Sequence, residues 1–328
     1  MFYFIANIHS RSGQSMKAWE KISHRLNERE VSAQIHMTRF AGHAVQLADQ
    51  LSDQAAADFD RCGLRSTIVA VGGDGTFNEV INGMHDFDKV NLAMIPLGSG
   101  NDLGRGLGIT NKDPLARLED ILTDCHDRER AAESESRVRR MDLGRVELDD
   151  GNSRLFAISC GMGFDAAVCR GVDHMYMKGI LNKLHMGRLS YLTKTLQTIL
   201  SMPLYRGRVF YRKEKGRSCL EVENMIFVAA MNQAAEGGGV PMYPGANAFD
   251  GKFGICLADS VPRLLALIML PGFLFRMHKI LPGVHQIETE SLQIHMEEAL
   301  PVHSDGEDLG MHRKIRITCL PGKLRIFI

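Results

Sequence analysis

No run of uncharged apolar residues in this 328-residue chain is long enough to cross a bilayer. The longest, Leu264–Phe275, is broken by Pro271-Gly272 and falls short of the roughly 20 residues a spanning helix requires. Net charge is absent too, because 39 Lys and Arg balance 39 Asp and Glu, so no global field draws the chain to nucleic acid. The seven cysteines, at 62, 125, 160, 169, 219, 256 and 319, are odd in number and form no C-x-x-C pair. That excludes a disulfide framework and a thiolate zinc site, and fits reduced thiols in a cytoplasmic protein. The thirteen histidines show no ligand spacing, no Ser/His/Asp order stands out, and no repeat or low-complexity tract occurs. The apolar start, Met1-Phe2-Tyr3-Phe4-Ile5-Ala6-Asn7, has no basic leader and reads as a first strand, not a signal peptide.

What remains is the composition of an ordinary globular protein, 45% apolar and 24% charged, with a length that favours two domains. Strand and helix patterns alternate first: Phe2–Ala6, Lys17–Asn27, Ala33–Thr38, His43–Leu51, Ile68–Val71, Phe77–Met84, Leu92–Pro96, then a helix at Leu115–Cys125. This rhythm predicts a parallel sheet with helices on both faces. Asp124–Arg140 is dense in charge and marks a boundary, giving domains at 1–135 and 136–328. The second is mostly strand-like: Asp142–Leu148, Ser153–Cys160, Arg208–Arg212, Glu223–Ala230, Phe253–Ala258, Gln286–Met296, Lys314–Cys319 and Lys323–Phe327, with Pro321-Gly322 as a hairpin turn between the last two. Helical patterns fall at Ala166–Asp173, Ile180–Leu200 and Arg263–Met269, and Leu264–Leu281 reads as buried rather than interfacial. The expected class is α/β plus β: a three-layer nucleotide-binding domain, then a β-sandwich-like domain, with the active site in a cleft between them.

Two segments carry the chemistry. After the strand Ile68–Val71 comes Gly72-Gly73-Asp74-Gly75-Thr76-Phe77-Asn78, opening a helix. Three glycines remove the Cβ atoms that keep a phosphate off the backbone, and the helix start offers unpaired N–H donors. Asp74 beside a phosphate makes sense if a cation such as Mg²⁺ lies between them; the alternative is a tight turn with Asp as N-cap. After Leu92–Pro96 comes a second such turn, Leu97-Gly98-Ser99-Gly100-Asn101-Asp102. Ligands of open parallel sheets sit beyond the carboxyl ends of the strands, so both turns should serve one nucleotide–metal site.

This ordered set resembles the catalytic domain of the diacylglycerol kinase and sphingosine kinase superfamily, most closely its bacterial lipid kinases. The likeness continues through Asn7-Ile8-His9-Ser10-Arg11-Ser12-Gly13, Thr38, Met141-Asp142-Leu143-Gly144, Gly161-Met162-Gly163-Phe164-Asp165-Ala166, Gly237-Gly238-Gly239, Pro244, Ala246, Asp250-Gly251 and Asp305-Gly306-Glu307. Ile8 departs from the family's usual proline. The resemblance implies an ATP- and Mg²⁺-dependent kinase acting on diacylglycerol or a related lipid, with C-terminal strands packing back on the first domain. It implies ATP contacts from Asn7, Ser10, Ser12, Gly13, Thr38, Gly72, Gly73, Asp74, Gly75, Thr76, Phe77, Asn78 and Ser99. Glu307 or Asp305 would accept the substrate proton, and Asp102 and Asp142 would complete the acid network. A structural Mg²⁺ would be held by Asp250 with the carbonyls of Asn247 and Lys252, unless that loop is simply an Asp-Gly turn. An NAD kinase shares the first glycine motif, and a non-catalytic sensor could share the scaffold.

Residues 170–217 hold eleven Lys and Arg against Asp173 and Glu214, interleaved with Met, Tyr and Leu. No nucleic-acid reading motif accompanies them. They suggest peripheral contact with an anionic membrane surface. A homodimer is compatible with the chain.

Overall fold

The computed structural model describes residues 1–8, 14–109, 113–128, 137–173, 205–213, 216–262 and 280–328, with a few positions between 263 and 279. The expected helix Ile180–Leu200, nearly all of Arg263–Met269, and Ser10, Ser12 and Gly13 lie outside the described residues. The backbone divides into two compact units, Met1–Asp142 with Gly322–Ile328, and Leu143–Pro321. The composition-based boundary at 135/136 thus falls a few residues early, and the last seven residues belong to the first unit.

In the first unit, strands β1 (Phe2–Ala6), β2 (Ala33–Met37), β3 (Thr67–Gly72) and β4 (Asn91–Pro96) form a parallel sheet in the order β2-β1-β3-β4. Helices α1 (Gln14–Glu28), α2 (His43–Cys62), α3 (Asp74–Gly83), α4 (Asp102–Gly106) and α5 (Pro114–Arg128) link or follow these strands. Period-two alternation sends Phe4, Ala6, Val69, Val71, Ala93 and Ile95 to one face, where Trp19, Ile22 and Leu26 of α1 and Leu118, Ile121 and Leu122 of α5 cover them. Their alternates Tyr3, Ile5, Ile68, Ala70, Leu92 and Met94 are equally buried on the face of α2 and α3. Each large side chain so buried contributes about 1.5–3 kcal/mol. Gly83 permits the close approach of α2 and α3, since a Cβ there would meet the Val45 carbonyl oxygen at 2.2 Å. Helix α2 runs eleven residues past the predicted Leu51 and stops where Gly63 turns left-handed, φ +73°.

The second unit is largely antiparallel. Its strands are the end of β5 (Val138–Leu148), β6 (Ser153–Phe156), β7 (Ser159–Gly163), β8 (Tyr205–Lys213), β9 (Gly216–Met231), β10 (Phe253–Asp259), β11 (Val284–Thr289), β12 (Ser291–Ser304) and most of β13 (Glu307–Phe327). Strand β9 pairs with β8 through its first half and with β7 and β10 through its second; β12 likewise pairs with β8 and then β7. That double use curls the sheet around one apolar core of Phe156, Val209, Val228, Phe253, Ile255, Leu292, Ile294, Val302 and Ile317. Helix α6 (Phe164–Asp173) follows β7 directly.

Three strand predictions change. The predicted strand Ser153–Cys160 breaks after Phe156, because the N–H groups of Ala157, Ile158 and Ser159 turn to a side chain, the Asp305 carboxylate. The predicted Gln286–Met296 breaks at Glu290, where the Thr289 hydroxyl takes over backbone partners of Arg212 and Ser291. Pro321-Gly322 makes no hairpin: β13 runs through it, and Ile326 pairs in parallel with Leu92 of β4. The buried Arg117 fixes this end by donating to the carbonyls of Met94 (3.1 Å) and Phe327 (2.9 Å).

Among the described residues, no helix is long and apolar enough to cross a membrane. Burial at Leu264–Leu281 holds only in part where the segment is described: Leu281 is half-buried and packs against Phe227, Met231 and Tyr243 and their neighbours, while the residues before it stand out. Phe275 is 75% exposed, Met277 42% and Ile280 70%.

Candidate active site

The carboxyl edge of the parallel sheet is assembled by backbone bonds that carry the strand register one residue further. Asn7 N–H donates to the Val71 carbonyl (2.8 Å), Thr38 N–H to Ala6 (2.9 Å) and Leu97 N–H to Gly72 (2.7 Å). The ends of all four strands therefore line one edge, with Asn7, Thr38, the Gly72–Thr76 turn and the Leu97–Asp102 turn along it. The Asn7 amide also donates to the Thr76 hydroxyl at 3.2 Å.

The two glycine turns pack backbone against backbone. A Cβ on Gly98 would lie 2.5 Å from the Gly73 Cα, and a Cβ on Gly73 would lie 3.0 Å from the Gly98 Cα. Gly98 admits no side chain unless the Gly73 backbone shifts, and Gly73 only a tight one. A Cβ on Gly72 would meet the Thr76 hydroxyl at 2.6 Å. The glycines thus serve the contact of the two turns as well as keeping side chains off the backbone there.

Asp74 finds donors within the protein: its carboxylate accepts the N–H groups of Asp102 (3.0 Å) and Leu103 (3.2 Å), capping α4. Asp102 is buried and paired with Arg105. The Asp74 and Asp102 Oδ2 atoms flank Gly100, 3.3 and 3.4 Å from where its Cβ would be, and the buried Asn101 Oδ1 close by has no hydrogen-bond partner. Oxygen donors crowded around a position without a side chain suit a hard cation. These residues fit Mg²⁺, and the bare cradle fits phosphate oxygens.

Two candidates lie in the core. Phe77 is 1% exposed, and its N–H donates to the Gly73 carbonyl. Asn78 is fully buried and accepts from the Asn82 amide. Ser99 stands exposed at the tip of its turn. Asp142, expected in the acid network, is buried and accepts the Gly322 N–H at 2.6 Å, holding β5 to β13.

In the second unit, Asp305 and Gly306 form the two-residue hairpin loop between β12 and β13. Both have positive φ, +50° and +87°, as a type I′ turn demands. The turn separates the two acids. The Asp305 carboxylate accepts three backbone N–H groups, from Ala157 (2.8 Å), Ile158 (2.8 Å) and Ser159 (3.0 Å). Asn232 and Gln233 hold the carbonyls of the same segment. Glu307, two residues on, is exposed. Asp305 is an anchor, and Glu307 is the acid presented to solvent.

Asn247, Asp250 and Lys252 form an exposed loop in which Asp250 accepts the Lys252 N–H at 3.0 Å and Gly251 has φ +75°. The Asp-Gly turn geometry is there, and it uses one carboxylate oxygen locally.

A cluster absent from the sequence reading lies beneath the acid turn. Asp165 at the start of α6, Glu236 before the triple glycine and His303 of β12 bring their polar atoms within 4.8 Å of one another. His303 Nε2 lies 3.0 Å from Asp165 Oδ2, the Gly306 N–H donates to Nδ1 (3.3 Å), and the Ser159 hydroxyl donates to Glu236. Burial lowers the His303 pKa, but the Asp165 carboxylate, with Glu236 and Asp305, raises it to about 9. Residues 138 apart leave no spacing signal. The available hint was a histidine two residues before Asp-Gly-Glu.

A diacylglycerol kinase catalytic domain model matches residues 1–133, and a YegS C-terminal NAD kinase beta sandwich-like domain model matches residues 158–328. YtlR of Bacillus subtilis (strain 168), a provisionally assigned lipid kinase, is 25% identical over 327 residues, covering 99% of this chain and 98% of that protein. The diacylglycerol kinase of the same organism is 26% identical over 279 residues, 84% of this chain and 79% of that protein. The crystal structure of a provisionally assigned diacylglycerol kinase from Bacillus anthracis str. Sterne superposes with a TM-score of 0.71 at 19% identity, covering 99% of this chain and 96% of that one. That last likeness concerns the fold alone. Kinases with this catalytic domain use ATP, and the chain, an α/β unit followed by a β-rich sandwich-like unit, belongs to the diacylglycerol kinase/YegS-like family of lipid kinases.

Proposed function

We propose that the protein transfers the γ-phosphoryl group of ATP to the hydroxyl of diacylglycerol or a closely related lipid, giving phosphatidic acid or its analogue. The observation that carries this reading is the mutual packing of Gly73 and Gly98, which leaves a bare backbone cradle beside two carboxylates at the carboxyl edge of the sheet. Mg²⁺, when bound, would neutralise phosphate charge, and Asp74, Asp102 and Asn101 are the residues that would hold it. Asn7, Thr38 and Thr76 line the same edge and orient the nucleotide.

Glu307 is the proton acceptor in this reading. Asp305 has its oxygens engaged by three N–H groups, whereas Glu307 stands exposed on a turn so anchored. A carboxylate is a weak base toward an alcohol, so it takes the proton as the transition state loosens it. The relatives named diacylglycerol kinase support that acceptor, at about 26% identity.

The protein works from the cytoplasm at an anionic membrane surface. Much of the basic segment 170–217 lies outside the described residues. Its described part places Arg206, Arg208 and Arg212 at alternate positions of β8 and Arg217 opposite Arg212, all exposed. Lys314 and Arg316 are exposed two strands away, across β12. Near the surface each basic side chain contributes about 1 kcal/mol toward anionic lipid. The exposed Phe275, Met277 and Ile280 supply apolar contacts of the matching kind.

Transfer of labelled γ-phosphate to diacylglycerol, a sphingoid base and a polyprenol in mixed micelles tests the assignment. Diacylglycerol is expected to be phosphorylated fastest, and Glu307→Gln to lower kcat by about 10²-fold with ATP affinity unchanged. Absence of transfer to any of the three would remove the lipid kinase activity. Full activity in the Gln variant would move the base elsewhere.

A further inference from the structure

We propose that His303 is a positioning residue for the Glu307 turn, and that Asp165 acts through it by fixing the imidazole tautomer. This rests on the assignment of Glu307 as the proton acceptor. The two-residue loop Asp305-Gly306 is anchored on one side by the three N–H groups that grip Asp305. Its other side is the Gly306 N–H, which donates to His303 Nδ1 at 3.3 Å. That bond exists only when Nδ1 carries no proton. The carboxylate of Asp165, 3.0 Å from Nε2, holds the ring proton at Nε2 and so leaves Nδ1 free to accept. The surrounding carboxylates favour a second proton on the ring and the Gly306 N–H opposes it, because a proton on Nδ1 would set two N–H groups against each other; the brace therefore belongs to the neutral ring and is released when the ring takes its second proton.

The surroundings are shaped for the pair. His303 stands opposite Gly161 in the β12–β7 pairing. A Cβ on Gly161 would lie 1.8 Å from Asp165 Oδ2 and 2.6 Å from His303 Nε2, so only glycine lets carboxylate and ring meet there. The Ser159 hydroxyl donates to Glu236, and Asp165 Oδ2 lies at hydrogen-bond distance from the ring. Two carboxylates and a histidine could in other settings hold a transition metal. Here His303 would have to give up its Nε2 proton and turn a protonated Nδ1 toward Gly306, so the arrangement is that of a brace.

The experiment uses the full chain, ATP and diacylglycerol mixed micelles, with thermal melting to confirm that each variant folds. His303→Ala is expected to lower kcat roughly 10- to 100-fold with KM for ATP unchanged, the scale of a small misplacement of a catalytic group. His303→Asn puts an amide oxygen near the place of Nδ1 and is expected to regain most of that loss. Asp165→Asn should lower kcat in the wild-type background and have no further effect beside His303→Asn, whose oxygen has no tautomer to fix. Combined with Glu307→Gln, His303→Ala should add less than about twofold, since both act on one group. Full loss in Glu307→Gln with wild-type turnover in His303→Ala overturns the brace alone. So do independent, multiplying effects, or Zn²⁺ binding to chelator-treated protein that is lost in His303→Ala. Wild-type turnover in Glu307→Gln overturns the base assignment, and the brace with it.

Discussion

The glycine turns of the first unit and the acid turn of the second present chemical groups by opposite means. Between Gly72 and Asp102 the structure works by omission: Gly73 and Gly98 touch backbone to backbone, with no side chain of their own over the turn. Everything needed sits within about thirty residues on two adjacent strands. The Asp305-Gly306 turn works by addition. Its shape is a common hairpin loop, and what sets it apart is side chains from distant segments, with Asp305 reaching back to residues 157–159 and His303 meeting Asp165. A cradle made by absent atoms tolerates no added ones. A turn made by partners should fail by degrees as partners are removed.

The first and largest effect should come from adding atoms where none fit. Gly98→Val drives a side chain into the Gly73 backbone, which cannot yield as a flexible side chain would. Calorimetric titration with a non-hydrolysable ATP analogue should show at least about a 10²-fold loss of affinity, about 2.7 kcal/mol. Unaltered affinity would show that this contact does not shape the nucleotide site.

Removal of a partner should cost less, and should separate the two acids. Asp305→Asn puts an amide among three backbone donors and should destabilise the protein by about 2 kcal/mol. Glu307→Gln, at an exposed position, should stay within about 0.5 kcal/mol. Urea unfolding of both variants makes the comparison, and equal stability would refute the anchor role. From sequence alone both changes read as isosteric alterations of a surface turn with little effect on stability.

A milder perturbation is pH. The His312 ring nitrogens face Asp149 Oδ1 (2.6 Å) and the Leu309 carbonyl (2.9 Å), both acceptors, so the imidazolium suits this site. Burial lowers its pKa, but the bonds to Asp149 and Leu309 outweigh burial and raise it. A pKa raised on folding contributes stability that is full below the unfolded value, about 6.5, and is lost as pH rises through the folded value. Denaturation curves of wild type and His312→Gln should therefore lie furthest apart below pH about 6.5 and converge above it. A gap that widens with pH would reverse the assignment.

The smallest effect is expected at Asp250, whose carboxylate accepts one N–H in an exposed Asp-Gly turn. In chelator, Asp250→Asn should shift stability by less than about 0.5 kcal/mol. A larger loss would mean that this loop, like the acid turn, depends on partners.

The first unit was readable because its determinants are local. Continuous apolar runs in β1, β3 and β4, the Gly-rich turns that follow β3 and β4, and the helical period of α1 and α5 each carry their own signal. The burial of Phe77 and Asn78 was not legible, because a motif written in sequence order does not say which residues of the next helix face inward. In the second unit the strands were legible, but their breaks were not. Ala157 and Ile158 look like strand residues until the Asp305 carboxylate competes for their N–H groups.

Pattern and spacing along the chain determined the α/β-then-β order and the glycine-rich turns, since apolar period, glycine and turn chemistry act over a few residues, while the acid pair stood out only through the family resemblance. Tertiary structure decided which acid anchors and which is presented, that Asp142 is buried, and that β13 runs on to pair with β4. It also brought His303 to Asp165 over Gly161. Those outcomes depend on which distant donor reaches a carboxylate first in the folded chain, and a hydrogen bond between residues more than a hundred positions apart has no period to read.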